Sequence, residues 1–303
     1  MIALHAHIDT DITFASYLTE VLLDSLIDTL KILPFLFLTY LLMEFIEHKA
    51  SDKVIGIIKA SGKAGPLTGG LLGVIPQCAF SAVSANLYTG RVISLGTMLA
   101  VFLSTSDEML PIMISEGIKP TAMLVIVGYK LCVAVIAGFA VDITVKLLKK
   151  KSPDINIDEI CENDNCHCER GILFSAVHHT LTITAFIFIV TLCINTAIFF
   201  VGSDTLGSIL GNIPVVSHIV AAFIGLIPGC ATSVLLTTLG LRSIISAGTM
   251  IAGLCSSAGV AVLILFRLNK HRKENLIICL TLVIVGIIAG LIADLIGIGS
   301  FIV

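Results

Sequence analysis

The chain's 303 residues are 56% hydrophobic and 13% charged, with a mean hydropathy of +1.05 and a formal net charge of −3. Globular proteins average about 45–50% apolar and 25% charged residues, so the composition is that of a polytopic α-helical membrane protein with little chain left for a soluble domain. Nine cysteines, six of them inside apolar segments, argue against a disulfide scaffold, and no P-loop signature for ATP hydrolysis occurs.

The first residues, MIALHAHIDTDITF, lack the basic start and short apolar core of a cleaved signal peptide. Apolar segment a follows at about 20–46, then a basic loop at 48–63, then segments b (66–89), c (91–117) and d (120–148). A polar linker, KLLKKKSPDINIDEICENDNCHCER, occupies 146–170. Beyond it, LTITAFIFIVTLCINTAIFFV (181–201) and NLIICLTLVIVGIIAGLIADLIGIG (275–299) reach the roughly 20 residues that a membrane span needs.

Residues 73–81 read GVIPQCAFS and residues 225–233 read GLIPGCATS, an offset of 152. In the same register Ile93, Ser94, Gly96, Thr97, Met98, Ala100 and Ser104 match Ile245, Ser246, Gly248, Thr249, Met250, Ala252 and Ser256. Chance likeness between apolar helices scatters Leu and Ile identities. It does not align Pro, Cys, Ser and several Gly. The expectation is two copies of one unit: a first transmembrane repeat at 1–145, a linking loop at 146–171 and a second repeat at 172–303.

Loop charge gives the orientation, because cytoplasmic loops carry an excess of Lys and Arg. The basic loop 48–63 corresponds to 202–218, which has no Lys or Arg. The bias then reverses: SEGIKPT (115–121) carries one Lys, and RLNKHRKEN (267–275) carries four basic residues besides His271. Equivalent loops of opposite bias belong on opposite sides. The repeats are therefore expected to be inverted, as in many secondary transporters. The basic start of 146–171 places that loop in the cytoplasm and both termini outside, across the plasma membrane. Segments b, c and d must return to the side they left, so one of them is a re-entrant hairpin, giving five helical pieces per half.

Pro76 and Pro228 fall mid-segment, where proline removes a backbone donor and clashes with the preceding turn. This points to b as the hairpin, with IPQC and IPGC at the tips; a simple helix kink is the alternative. Segment c is interrupted at LSTSDEMLP (103–111), matched by CSSAGVAVL (255–263). Thr105 and Glu108 have capping-box spacing, which predicts a new helix from about 107. Irregular backbone at membrane depth belongs where it is buried in protein or lines a watered cavity. The breaks are expected to meet near the midplane and form a substrate site.

The residues of that expected site are Pro76, Gln77, Cys78, Ser81, Ser104, Thr105 and Ser106 in the first half, with Pro228, Gly229, Cys230, Ser233, Ser256 and Ser257 in the second. The serines serve equally well as small packing residues between helices. Asp107 and Glu108 are costly acids for a membrane segment, and so candidate carriers of protons or ions; first-turn and capping roles are the alternatives. Cys78 and Cys230 suit soft metals or trivalent metalloids, alone or with Asp107 and Glu108, and equally a buried packing role. Gly96 and Gly248 read as close packing. Outside the spans, Cys161, Cys166, His167 and Cys168 form a possible peripheral metal cluster without a zinc-ribbon pattern.

With the IPxC repeats, the STSDEM string and ten helical pieces, the chain resembles the 10-TM heavy-metal exporter family, described as arsenic-permease-like and also as manganese transporters. The resemblance implies export of a metal or metalloid and carries over Cys78, Cys230 and the string Ser104–Glu108. The resulting expectation is a secondary-active permease, coupled to protons or to the membrane potential, with no enzyme activity and no cofactor. Its partners are the transported ion and the lipid bilayer, with a homodimer left open and no nucleic acid. Helix N-termini aimed at the site would instead favour an anion, so a small organic or inorganic anion transporter, or a channel-type subunit, is the alternative. An intramembrane metalloprotease would show HExxH, which is absent.

Overall fold

The computed structural model describes residues 64–75, 78–106, 108–148, 172–201, 214–269 and 271–301, with scattered helical positions between 22 and 41. Among the described residues the fold is entirely helical. The first half contains α1 (Gly65–Gly73), α2 (Cys78–Thr89), α3 (Leu95–Ser104), α4 (Met109–Ser115) and α5 (Pro120–Leu147). The second contains α6 (Ile172–Val201), α7 (Pro214–Gly225), α8 (Cys230–Leu241), α9 (Ala247–Ser256), α10 (Ala261–Leu268) and α11 (Arg272–Ile296), then a 3-10 turn at Ile298–Phe301. Shifted by 152, the starts of α2, α3, α4 and α5 fall on those of α8, α9, α10 and α11.

The local chemistry repeats as well. Ser94 and Ser246 cap α3 and α9, accepting the amides of Thr97 at 3.1 Å and Thr249 at 3.0 Å. The turns leading into these helices carry a left-handed residue at the same register, Arg91 (φ 58°) and Ser243 (φ 56°). Arg91 N–H donates to Tyr88 and Val92 N–H to Leu87, while Ser243 N–H donates to Gly240 and Ile244 N–H to Leu239. Both turns are Schellman motifs closing α2 and α8.

Helix directions follow from side-by-side contacts. Gly65, Gly69 and Gly73 of α1 lie against Thr97, Val101 and Ser104 of α3, so those two helices run the same way. α2 ends at the turn that starts α3 and must run back. α1 and α2 are therefore the arms of a helical hairpin. α7 and α8 repeat it: His218 near the start of α7 meets Asp294 beside the start of α9, and Gly225 at its end meets Gly253. The arms of the first hairpin, nine and twelve residues, are about 14 and 18 Å long, short of a bilayer core of about 30 Å. By contrast Leu95–Ser115, Pro120–Leu147, Ala247–Leu268 and Arg272–Ile296 are long and apolar enough to cross a membrane. The short antiparallel arms thus fall in segment b, and the helices of segment c are among those long enough to span.

α3 packs mainly on α1 and α5, and α9 on α7 and α11. The halves join where α2 meets α10, α8 meets α4 and α3 meets α9. Met98, Phe102, Leu103 and Met109 are buried in one half, Met250, Leu254 and Leu265 in the other. Leu124, Ile136, Leu276 and Leu295 stand exposed on the long helices, as a lipid-facing surface requires. α5 and α11 run antiparallel. Tyr129 donates to the Ala289 carbonyl at 2.6 Å in their middles. At one end Asp142 holds the start of α3, three residues from Arg91, which pairs with Glu274 in the first turn of α11.

One local expectation is corrected. α4 starts at Met109 rather than about 107, and Glu108 makes no side-chain cap bond. The Thr105 hydroxyl is turned back to the Val101 carbonyl at 2.7 Å, so the capping box does not form.

Candidate functional site

The helical segments Leu95–Ser115 and Ala247–Leu268 break at the same register. α3 ends at Ser104 because Thr105 leaves helical geometry (φ −51°, ψ 129°). The chain resumes helix only at Met109, and the second break runs from Ser257 to Val260 with Gly259 left-handed at φ 54°. The tip of the second hairpin turns at Gly229, whose φ of 142° suits only glycine.

These irregular stretches converge on one recess. It is lined by Thr105, Ser106, Glu108 and Met109 from the first break, Gly229 and Ser233 from the hairpin tip, and Leu254, Ser257 and Gly259 from the second break. Six residues expected from sequence are thus brought together: Thr105, Ser106, Glu108, Gly229, Ser233 and Ser257. Pro228 is part-exposed beside them. Ser104 and Ser256 are fully buried and donate to Val101 at 3.1 Å and Ala252 at 3.0 Å, which places them in helix packing. Ser81 is buried in α2. Cys78 and Cys230 open α2 and α8; their side chains lie outside the description, as do Pro76, Gln77, Asp107 and the cluster Cys161, Cys166, His167 and Cys168.

Sequence reading passes over Lys130, although a lone lysine within TAMLVIVGYKLCVAVIAGFAV is itself a signal. Its side chain is fully buried at mid-length of α5. The ammonium donates to the carbonyl of Thr105 and, at 3.4 Å, to that of Leu254. Both acceptors belong to residues of the recess wall. The site therefore combines a carboxylate at its rim, hydroxyls, exposed backbone at helix ends and a buried cation directly behind it.

A second cluster also escaped the sequence. Arg91 grips Glu274 through two nitrogens at 3.0 and 3.3 Å, stacks on the Tyr88 ring at 5.1 Å, and Tyr88 donates to the same carboxylate. Burial alone would lower the Arg91 pKa, but the hydrogen bond and charge of Glu274 outweigh it and hold it above its ordinary value. This cluster ties the α2–α3 turn of one half to α11 of the other. The opposite register holds Ser243 and Ala122, which cannot form such a pair.

Gly96 and Gly248 are packing residues: a Cβ at either would meet the carbonyl of Gly138 at 2.1 Å or Gly290 at 2.3 Å.

No curated protein and no solved structure matches the chain significantly. A family model described as "Putative, 10TM heavy-metal exporter" matches residues 17–202 and again 170–303. Between them these matches run from residue 17 to the last residue, and the chain belongs to that family of multi-pass membrane transporters.

Proposed function

We propose that the chain is a secondary-active permease that exports a heavy metal or metalloid, such as an arsenic species or a divalent ion like manganese, by alternating access. The observation that carries this reading is the recess itself. Two helix breaks and a hairpin tip, drawn from both halves, line one small recess with hydroxyls and a carboxylate. Inverted-repeat transporters bind substrate where broken helices meet. The 152-residue register of helix starts and the antiparallel course of α5 and α11 support reading the halves as inverted copies, with α1–α2 and α7–α8 as re-entrant hairpins.

In this mechanism the substrate enters the recess and meets Glu108, the hydroxyls of Thr105, Ser106, Ser233 and Ser257, and the thiols of Cys78 and Cys230 at the starts of α2 and α8. Glu108 and Asp107 carry the coupling proton: loading a cation displaces it, and release on the far side restores it. The halves rock about the recess in the plasma membrane, with loop 146–171 cytoplasmic and both termini outside. A metalloid oxyanion is the second reading, favoured by the backbone start of α8 at Gly229 in the recess wall.

The test is growth of a host stripped of its own exporters, challenged with Mn, Zn, Cd, arsenite and an organoarsenical. Protection against one class, lost in Glu108→Gln or in the Cys78→Ser/Cys230→Ser pair, supports the reading. Protection against none of them sinks it.

A further inference from the structure

Lys130 carries more than the transport reading uses. Two of its acceptors are carbonyls that a helix leaves without intrahelical partners: Thr105 is the C-cap of α3, and Leu254 lies in the last turn of α9. One comes from each half. Two C-terminal helix ends aimed at one point favour positive charge there, and an ammonium brings donors only. The register equivalent of Lys130 is Leu282, also fully buried, so the cation is one-sided. The thiol of Cys255 lies within electrostatic reach, the Tyr129 hydroxyl is committed to Ala289, and α1 and α3 contribute no titratable side chain.

We propose that the Thr105 and Leu254 carbonyls form a monovalent-cation site, which the Lys130 ammonium fills from within the chain. The lysine is a tethered substitute for a bound alkali or alkylammonium ion, and it holds the two breaks together across the halves. The wild-type protein therefore needs no such ion. Shortening the side chain to Ala vacates the space of a propylammonium between the two carbonyls, and a small free cation takes its place. The site itself does not depend on what the protein transports.

The experiment is thermal unfolding of purified full-length wild type, Lys130→Ala, Lys130→Gln and Lys130→Arg. Each is measured in choline chloride and in increasing K⁺, Na⁺, ammonium and methylammonium. Lys130→Ala is expected to melt roughly 5–10 °C lower in choline, and to regain most of that loss, saturably, with at least one small cation. Wild type and Lys130→Arg show no saturable response. Lys130→Gln, which keeps N–H donors without charge, melts as low as Lys130→Ala in choline. A folded Lys130→Ala that responds to no cation overturns the proposal, as does a Lys130→Gln as stable as wild type. If Lys130→Ala yields no folded protein, the other two decide: a stable Arg variant beside an unstable Gln variant supports the site, and equal behaviour overturns it. A wild type that moves no metal while Lys130→Ala binds methylammonium retires the exporter reading and leaves this one standing.

Discussion

Asp294 holds the start of α9 with the same pair of bonds by which Asp142 holds the start of α3. Asp142 accepts from the Ser94 hydroxyl at 2.7 Å and the Gly96 amide at 2.9 Å; Asp294 accepts from Ser246 and Gly248, both at 2.6 Å. Each places a negative charge at the positive end of a helix dipole. Because α5 and α11 run antiparallel, the two sites lie at opposite ends of the bundle, about 30 Å apart by the 20 residues from Glu274 to Asp294. Asp142→Ala is expected to cost about 2–3 kcal/mol, read as a lowered Tm. Asp294→Ala should cost more, since it also removes the 3.1 Å partner of the buried His218. At this separation the double variant should show the sum of the two losses; a clearly sub-additive loss would mean that the sites are not independent.

Glu108 separates a structural role from a functional one. It makes no capping bond, and Glu108→Gln keeps its shape, so the variant is expected to stay folded while export falls at least about tenfold as the ionisable group at the recess is lost. A large drop in Tm with proportionate loss of export would return Glu108 to a structural role.

The glycine contacts between α3 and α5, and between α9 and α11, leave no room for a methyl group. Gly96→Ala and Gly248→Ala should each lower stability by about 3 kcal/mol or abolish folding, because the obstructing atoms are backbone carbonyls that cannot rotate away. Yield and melting temperature of the two purified variants check this. Gly128, with nothing within 4 Å of a built Cβ, is the control, where Ala should be neutral or slightly stabilising.

The Tyr88–Arg91–Glu274 cluster ties one end of the bundle across the two halves, and at the equivalent register Ser243 and Ala122 stand in place of Arg91 and Glu274. Glu274→Gln removes the charge that Arg91 grips, worth about 1.5–3 kcal/mol, and should raise the open population at that end about tenfold or more. The readout is labelling of Ser257→Cys by a membrane-impermeant thiol reagent, in a background without other accessible cysteines. Faster labelling from the Arg91 side only is expected. Equal acceleration from both sides would show general loosening instead of a gate.

What was legible in the sequence was whatever repeats locally. Pro228 and Gly229 mark the turn between α7 and α8, the polar run at Thr105–Ser106 marks a break, and the 152-residue register places the second break at Ser257. Thr105 and Glu108 misled, because capping-box spacing is a local rule, whereas the Thr105 hydroxyl turns back to Val101 and its carbonyl is held by Lys130. Lys130 itself was hidden for a related reason: its acceptors lie 25 and 124 residues away. Arg91 and Glu274 are 183 apart and join across the halves, where neither periodicity nor register reaches. His218 stands where the first half has Pro66, so the repeat offered no hint of its pairing with Asp294.

The most direct test of the recess as the transport site is metal flux in proteoliposomes. Wild type, Glu108→Gln and Ser257→Phe would be loaded in turn with Mn²⁺, Cd²⁺ and arsenite, under an imposed proton gradient. The account predicts gradient-driven flux of one of these by wild type, at least about tenfold weaker in Glu108→Gln and blocked in Ser257→Phe, with all three proteins folded. Flux that persists unchanged when the recess is filled by phenylalanine, or no flux of any of the three by wild type, would contradict it.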